Sequence, residues 1–172
     1  MTADDDAARD LFGASVAVDG STALVGAPGK DSGAGAAYIF GRSGGSWSQH
    51  VKLTRGARDA FGASVAISDS TAVVGAYRYN AHKGATFVFK RRPLWSHGPR
   101  QIAPDAAFGD EFGWSVAVDG STAVVGAPRE RARSGAAYVF ADGCPEHRYE
   151  ATPATLAHVP DGASGPHAAR GP

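Results

Sequence analysis

One string of fifteen residues occurs three times in this chain. Residues 14–28 read ASVAVDGSTALVGAP and residues 114–128 read WSVAVDGSTAVVGAP, identical at thirteen of fifteen positions; residues 63–77 give a looser copy, ASVAISDSTAVVGAY. Each copy follows an Asp-x-Phe-Gly step at residues 10–13, 59–62 and 110–113. The landmark pairs are Phe12 and Gly13, Phe61 and Gly62, and Phe112 and Gly113, with the phenylalanines 49 and 51 residues apart. Each copy precedes a run of small residues and alternating aromatics, at 36–40, 85–89 and 136–140. Landmarks that recur in one order about every fifty residues restrict the chain to a repeat architecture. In such a fold each unit is one supersecondary piece that packs against the next.

The period inside a unit is two, which is that of a strand. Residues 15–18 alternate, Asp19 and Gly20 supply a two-residue hairpin turn, and residues 22–25 resume as a strand that Pro28 ends. A polar loop follows, then a third strand over 37–40, a turn at 43–46 and a fourth strand over 47–53. Four short antiparallel strands make one propeller blade. The first two strands contain mostly Ser, Ala, Val and Gly, and the aromatics wait until the third and fourth. That taper suits a wedge crowded at its inner edge. Tyr38 and Phe40, Phe87 and Phe89, and Tyr138 and Phe140 are each two apart and so share a face, expected to pack on the next blade.

The expected fold is therefore all-β: a partial β-propeller of three four-stranded antiparallel blades, the last incomplete. The boundaries are a flexible acidic lead over 1–9, blades over 10–58, 59–108 and 109–141, and an irregular or disordered tail over 142–172. Pro93, Gly98 and Pro99 are expected to interrupt the outer strand of the second blade, and Pro153 and Pro160 argue against a good outer strand in the third.

Composition narrows the function. Seventeen basic against seventeen acidic residues leave no net field to gather nucleic acid. No apolar run approaches a membrane span, and the acidic opening, with aspartates at 4, 5 and 6, does not resemble a signal peptide. A single cysteine, Cys144, excludes an intrachain disulfide. The six histidines share no metal-binding spacing, and no Gly-x-Ser-x-Gly elbow or phosphate-binding loop occurs. The chain is read as non-catalytic.

The sequence Asp-x-Phe-Gly-x-Ser-Val-Ala, then Val-Gly-Ala-Pro, then Gly-Ala-Ala-Tyr-Val-Phe resembles the FG-GAP repeat family, over roughly residues 3–141. These are the blades of the integrin α-subunit propeller and of many bacterial surface or secreted proteins. The resemblance implies extracellular recognition or adhesion, a secreted or surface location, and a protein or glycan partner. An accessory propeller of an absent hydrolase, or a purely structural repeat, stay open as alternatives. Family members often hold calcium between the first two strands in a loop with several aspartates. Here the corresponding loops, 18–21, 67–70 and 118–121, are cut to hairpin length with one carboxylate each. Calcium takes about six to eight oxygen ligands, so no cofactor is expected.

In an up-and-down blade the loops between strands two and three share a face with the connections between blades. Those loops vary most here, and the integrin-like ligand surface is similar to this face. They carry Lys30 in the first unit, Arg78, Tyr79 and Lys83 in the second, and Arg129, Arg131 and Arg133 in the third. Arginine forks suit carboxylates, sulfates and phosphates, so a partner with acidic groups fits; solvated loop tips are the ordinary alternative. The Phe-Gly landmarks are expected to wedge between blades, and Asp10, Asp59 and Asp110 to accept hydrogen bonds from the inter-blade turn. Three blades cannot close a ring, since closed propellers need about four to eight. The expectation is a fragment of a longer surface protein, an open arc, or part of a homo-oligomeric ring.

Overall fold

The computed structural model of the chain describes residues 1–55, 58–140 and 152–153. Blade 1 is built from β1 (Ser15–Asp19), β2 (Thr22–Ala27), β3 (Ala36–Ser43) and β4 (Ser46–Thr54). Blade 2 contains β5 (Ser64–Ser68), β6 (Thr71–Ala76), β7 (Ala85–Arg91) and β8 (Trp95–Gln101). Blade 3 contains β9 (Ser115–Asp119), β10 (Thr122–Ala127), β11 (Ala136–Phe140) and the two-residue β12 (Thr152–Pro153). In every sheet the strands lie in chain order and antiparallel. The all-β expectation and the repeat of blades hold; the outer strand of blade 3 is described only at Thr152 and Pro153, which pair with Val139 and Tyr138. No helix among the described residues is long and apolar enough to cross a membrane.

The blades meet most closely at their first strands, β1 beside β5 and β5 beside β9. Small side chains at that inner edge permit the approach. Between blades 1 and 2, Leu24, Ala37, Ile39 and Leu53 pack against Val65, Ile67, Val74, Phe87 and Phe89. Between blades 2 and 3, Val73 and Val88 pack against Phe112, Val125, Tyr138 and Phe140. The aromatic face of a blade thus turns toward the preceding blade, not the next one as the sequence pattern suggests. The reason lies in the Phe-Gly phenylalanine, which stacks edge-on against its own blade's aromatic pair. Phe61 sits 5.6 Å from Phe87 and 6.1 Å from Phe89, and Phe112 lies 5.4 Å from Tyr138 and 6.0 Å from Phe140.

The outer strand of blade 2 forms despite its prolines. Phe87 pairs with Arg100 and Phe89 with His97, which sets Gly98 and Pro99 together opposite Val88 as a bulge. β8 is an edge strand, and a bulge on an edge is where a residue without an N–H is tolerated. The lead over 1–9 is not a loose segment either: Ala3 is buried against Tyr38 and Phe40, and the Asp4 N–H donates to Gln49 over 3.2 Å.

Backbone fits against backbone at each junction. A Cβ at Gly26 would collide with the carbonyl of Gly62, and one at Gly75 with the carbonyl of Gly113. The hydroxyls of Ser15 and Ser64 donate to those same carbonyls, each over 2.8 Å. Gly75→Ala is expected to lower unfolding free energy by about 1–3 kcal/mol, the usual range for overpacking. Gly44→Asn, in the open tip between β3 and β4 where φ is 56° and nothing lies within 4 Å, is expected to cost less, about 1 kcal/mol or below, because asparagine tolerates left-handed backbone. Urea denaturation of the two variants checks both values.

Candidate functional site

The loop after the second strand of each blade makes a compact turn, at Lys30–Gly33, Tyr79–His82 and Glu130–Arg133. Three successive residues in each take left-handed φ: 51°, 60° and 91° at Asp31, Ser32 and Gly33, 47°, 58° and 62° at Asn80, Ala81 and His82, and 49°, 56° and 76° at Arg131, Ala132 and Arg133. An L-residue held there costs about 1–2 kcal/mol, so such turns persist only where surroundings hold them. That hold comes from within the blade. The N–H groups of Gly29, Arg78 and Arg129 donate to the carbonyls of Asp10, Asp59 and Asp110 over 3.0, 3.2 and 3.3 Å. The next blade then docks on the first two loops: Ala60 and Phe61 donate to the carbonyls of Gly33 and Ala34, and Glu111 and Phe112 to those of His82 and Lys83, over 2.9–3.1 Å.

Two of the three Asp-x-Phe-Gly aspartates, Asp10 and Asp110, accept a backbone hydrogen bond from the turn before them. The Ala7 N–H donates to Asp10 Oδ2 over 2.8 Å and the Ala107 N–H to Asp110 Oδ2 over 2.6 Å. Asp59 is 9% exposed, and burial pushes its carboxyl above the ordinary value.

Beneath each loop lies one position that the three blades fill with different chemistry. In blade 1, Lys30 reaches Asp10 at 2.9 Å and Asp5 at 3.4 Å, Lys52 reaches Asp5 at 2.7 Å, and the Tyr38 hydroxyl donates to Asp5 over 2.8 Å. In blade 3, the Tyr138 hydroxyl lies 2.6 Å from Asp105 and also contacts buried Glu130. Burial, followed by the neighbouring carboxylates, pushes both tyrosine hydroxyls well above their ordinary value. In blade 2 the tyrosine becomes Phe87 and the aspartate becomes Arg55, whose guanidinium sits 4.4 Å from the Phe87 ring. Tyr79 takes the place of Lys30 and accepts a hydrogen bond from Arg100, whose guanidinium lies 5.0 Å from its ring. Desolvation holds Arg55 below the usual arginine value.

The predicted binding residues divide on this geometry. Lys30 is only 5% exposed and its ammonium is taken by Asp10 and Asp5, so it leaves the surface strip; a hydrogen bond to Asp10 raises its affinity for the proton. Tyr79 is half-buried against Phe87, 6.0 Å between ring centres. Arg78 is exposed with its guanidinium 5.4 Å from the Tyr77 ring, and Lys83 is half-exposed. Arg129 pairs with buried Glu111 at 2.9 Å, and His82 of the neighbouring loop approaches the same oxygen at 3.6 Å. Arg131 lies 3.3 Å from Glu130, and Arg133 is exposed with no ion-pair partner among the described residues. Glu111 therefore ties the second and third loops side by side through His82 and Arg129, while Arg131 and Arg133 are exposed elsewhere on the third loop. Glu111 was not singled out by the sequence reasoning, although it is the variable residue of its Asp-x-Phe-Gly step.

In the hairpins between first and second strands, the lone carboxylate or hydroxyl turns to the next blade. Asp19 accepts from the Asp69 N–H, and Ser68 from the Gly120 N–H over 3.0 Å. No group of three or more His, Cys, Asp or Glu among the described residues is arranged to hold a metal ion.

Stacked four-stranded sheets locked by Phe-Gly turns define an integrin-α-like module of β-propeller type. The profile described as "FG-GAP repeat" matches residues 1–40, 47–89 and 95–140. The chain belongs to the FG-GAP repeat family. No curated protein sequence matches it.

Asp5 carries the testable electrostatics of this region. The hydrogen bond from Lys52, then that from Tyr38 and the charges of Lys52 and Lys30, outweigh burial and lower its carboxyl from 3.8 to about 2. A lowered folded-state value adds stability above the unfolded value and loses it as pH falls through the folded one. Asp5→Asn is expected to lower Tm most near neutral pH, with the gap from the parent narrowing as pH drops from about 4 toward 2. Thermal melts across that range check the trend.

Proposed function

We propose that this chain is a non-catalytic recognition or adhesion module, secreted or surface-exposed, that binds an acidic protein or glycan through the face carrying the loops between second and third strands. The observation that carries this reading is the set of cations exposed on the neighbouring loops of blades 2 and 3. Arg78, Lys83, Arg131 and Arg133 stand at or near the surface on two loops that Glu111, His82 and Arg129 hold adjacent. Those loops also hold non-glycine residues in left-handed backbone, a costly arrangement that clusters at ligand-binding segments. Guanidinium groups on rigid turns meet sulfates and carboxylates with little ordering cost. Family membership supports a partner-binding role.

The triple variant Arg78→Ala, Arg131→Ala, Arg133→Ala removes the three exposed guanidinium groups while leaving Lys83 in place and Arg129 on Glu111. On immobilised heparin, a sulfated glycan, the parent is expected to be retained and the variant to elute at clearly lower salt with an unchanged circular dichroism spectrum. Equal elution of the two proteins overturns the proposal. The module is also proposed to need no metal, because each hairpin loop carries one carboxylate and that of Asp19 accepts from the neighbouring blade. Tm is expected to stay within about 1 °C on adding millimolar calcium or chelator; a structural calcium site would shift it by several degrees through linkage.

A further inference from the structure

We infer that the back face of blade 3 is a docking surface for the front face of blade 1 of a second copy of this chain, forming a third blade junction of the kind already present twice. The two existing junctions use one set of contacts. Two amides of the Phe-Gly turn donate to two loop carbonyls of the preceding blade: Ala60 and Phe61 to Gly33 and Ala34, then Glu111 and Phe112 to His82 and Lys83. A first-strand serine, Ser15 or Ser64, donates to the landmark glycine carbonyl. A hairpin side chain, Asp19 or Ser68, accepts from the next hairpin's N–H.

Both halves of a third set are present and unpaired. The N–H groups of Leu11 and Phe12, equivalent to those of Ala60 and Phe61, have no hydrogen bond among the described residues; nor do the carbonyls of Arg133 and Ser134, equivalent to those of His82 and Lys83. Ser115 matches Ser64, Gly13 matches Gly113, and Asp119 and Gly20 match Ser68 and Gly120. A Cβ at Gly126 meets only Ser115, whereas at Gly26 and Gly75 it would strike the incoming turn, so the slot for a landmark carbonyl is open.

Apolar exposure gives the same answer. Val16 and Val18 are 69% and 67% exposed on blade 1, while their equivalents Val65 and Ile67, covered by blade 1, are each 8% exposed. Val124 is 40% exposed on blade 3, while Leu24 and Val73, covered by the next blade, are at 0% and 1%. The front and back faces are complementary rather than alike, so pairing is head to tail. The described blades of two copies number six, within the range of about four to eight at which propeller rings close.

Light scattering after size exclusion under reducing conditions tests this on the whole chain. The expected mass at micromolar concentration is twice 17.6 kDa. Val16→Asp and Val124→Asp each place a charge at one half of the new junction and are expected to reduce the mass to one copy with an unchanged circular dichroism spectrum. Leu94→Asp, at a 79% exposed position outside the junction contacts, is expected to keep the two-copy mass. A one-copy mass for the parent chain overturns the inference, as does an unchanged two-copy mass in both junction variants. The parent measurement alone decides the matter if either variant fails to fold.

Discussion

Everything in this molecule is organised by the insertion of a Phe-Gly turn into the back of the preceding blade. The glycine's carbonyl enters a slot that exists only because the facing residue, Gly26 or Gly75, has no side chain, and a serine hydroxyl meets it there. The two amides before the glycine serve the preceding loop. The phenylalanine ring covers the aromatic pair of its own third strand. One short segment thereby fixes the spacing of the sheets, satisfies backbone polar groups that burial would otherwise penalise, and fills the junction core.

Because the inner edge is held by backbone, the outer edge is free to differ. The position beneath each loop shows how far. A lysine with two aspartates, a glutamate with an aspartate and a tyrosine, and a tyrosine with two arginines all occupy it. Each is locally satisfied by a partner that changes with it, tyrosine facing aspartate in two blades and phenylalanine facing arginine in the other. These sets set the electrostatic character of the loops above them. Blade 1 spends its lysine inward and shows Asp31 outside, whereas blade 3 buries its glutamate and shows arginines.

Strand positions were legible in the sequence because alternation, hairpin dipeptides and terminating prolines are local signals. The repeat supplied the blade. What sequence could not give was the direction in which a face looks: the aromatic pair shares a side of β3 or β7 by parity alone, and only the Phe-Gly ring decides that this side faces backward. Pro99 misled for a related reason, since its effect depends on the bulge opposite Val88 and on β8 lying at an edge. At the loop face, charge was visible but pairing was not. Lys30 and Arg131 look alike as loop cations, and the difference is the pair Asp5 and Asp10, one of them twenty-five residues away in sequence. A signal did exist: Ala3, Asp5 and Asp10 recur a hundred residues later as Ala103, Asp105 and Asp110.

The third loop separates what a blade makes alone from what its neighbour adds. No Phe-Gly turn docks on Arg133 and Ser134 among the described residues, yet Arg131, Ala132 and Arg133 hold φ angles within 15° of those at Asn80, Ala81 and His82. The left-handed turn is therefore set within its own blade, by the Arg129 amide on the Asp110 carbonyl and the Gly135 amide on the Glu130 carbonyl. A neighbour meets a finished template. The incoming turn has no loop to reshape and loses none of its contact energy to ordering one. The same rigidity holds the arginines in a fixed array, so one property of the fold suits these loops both to receive a blade along their backbone and to present charge from their side chains.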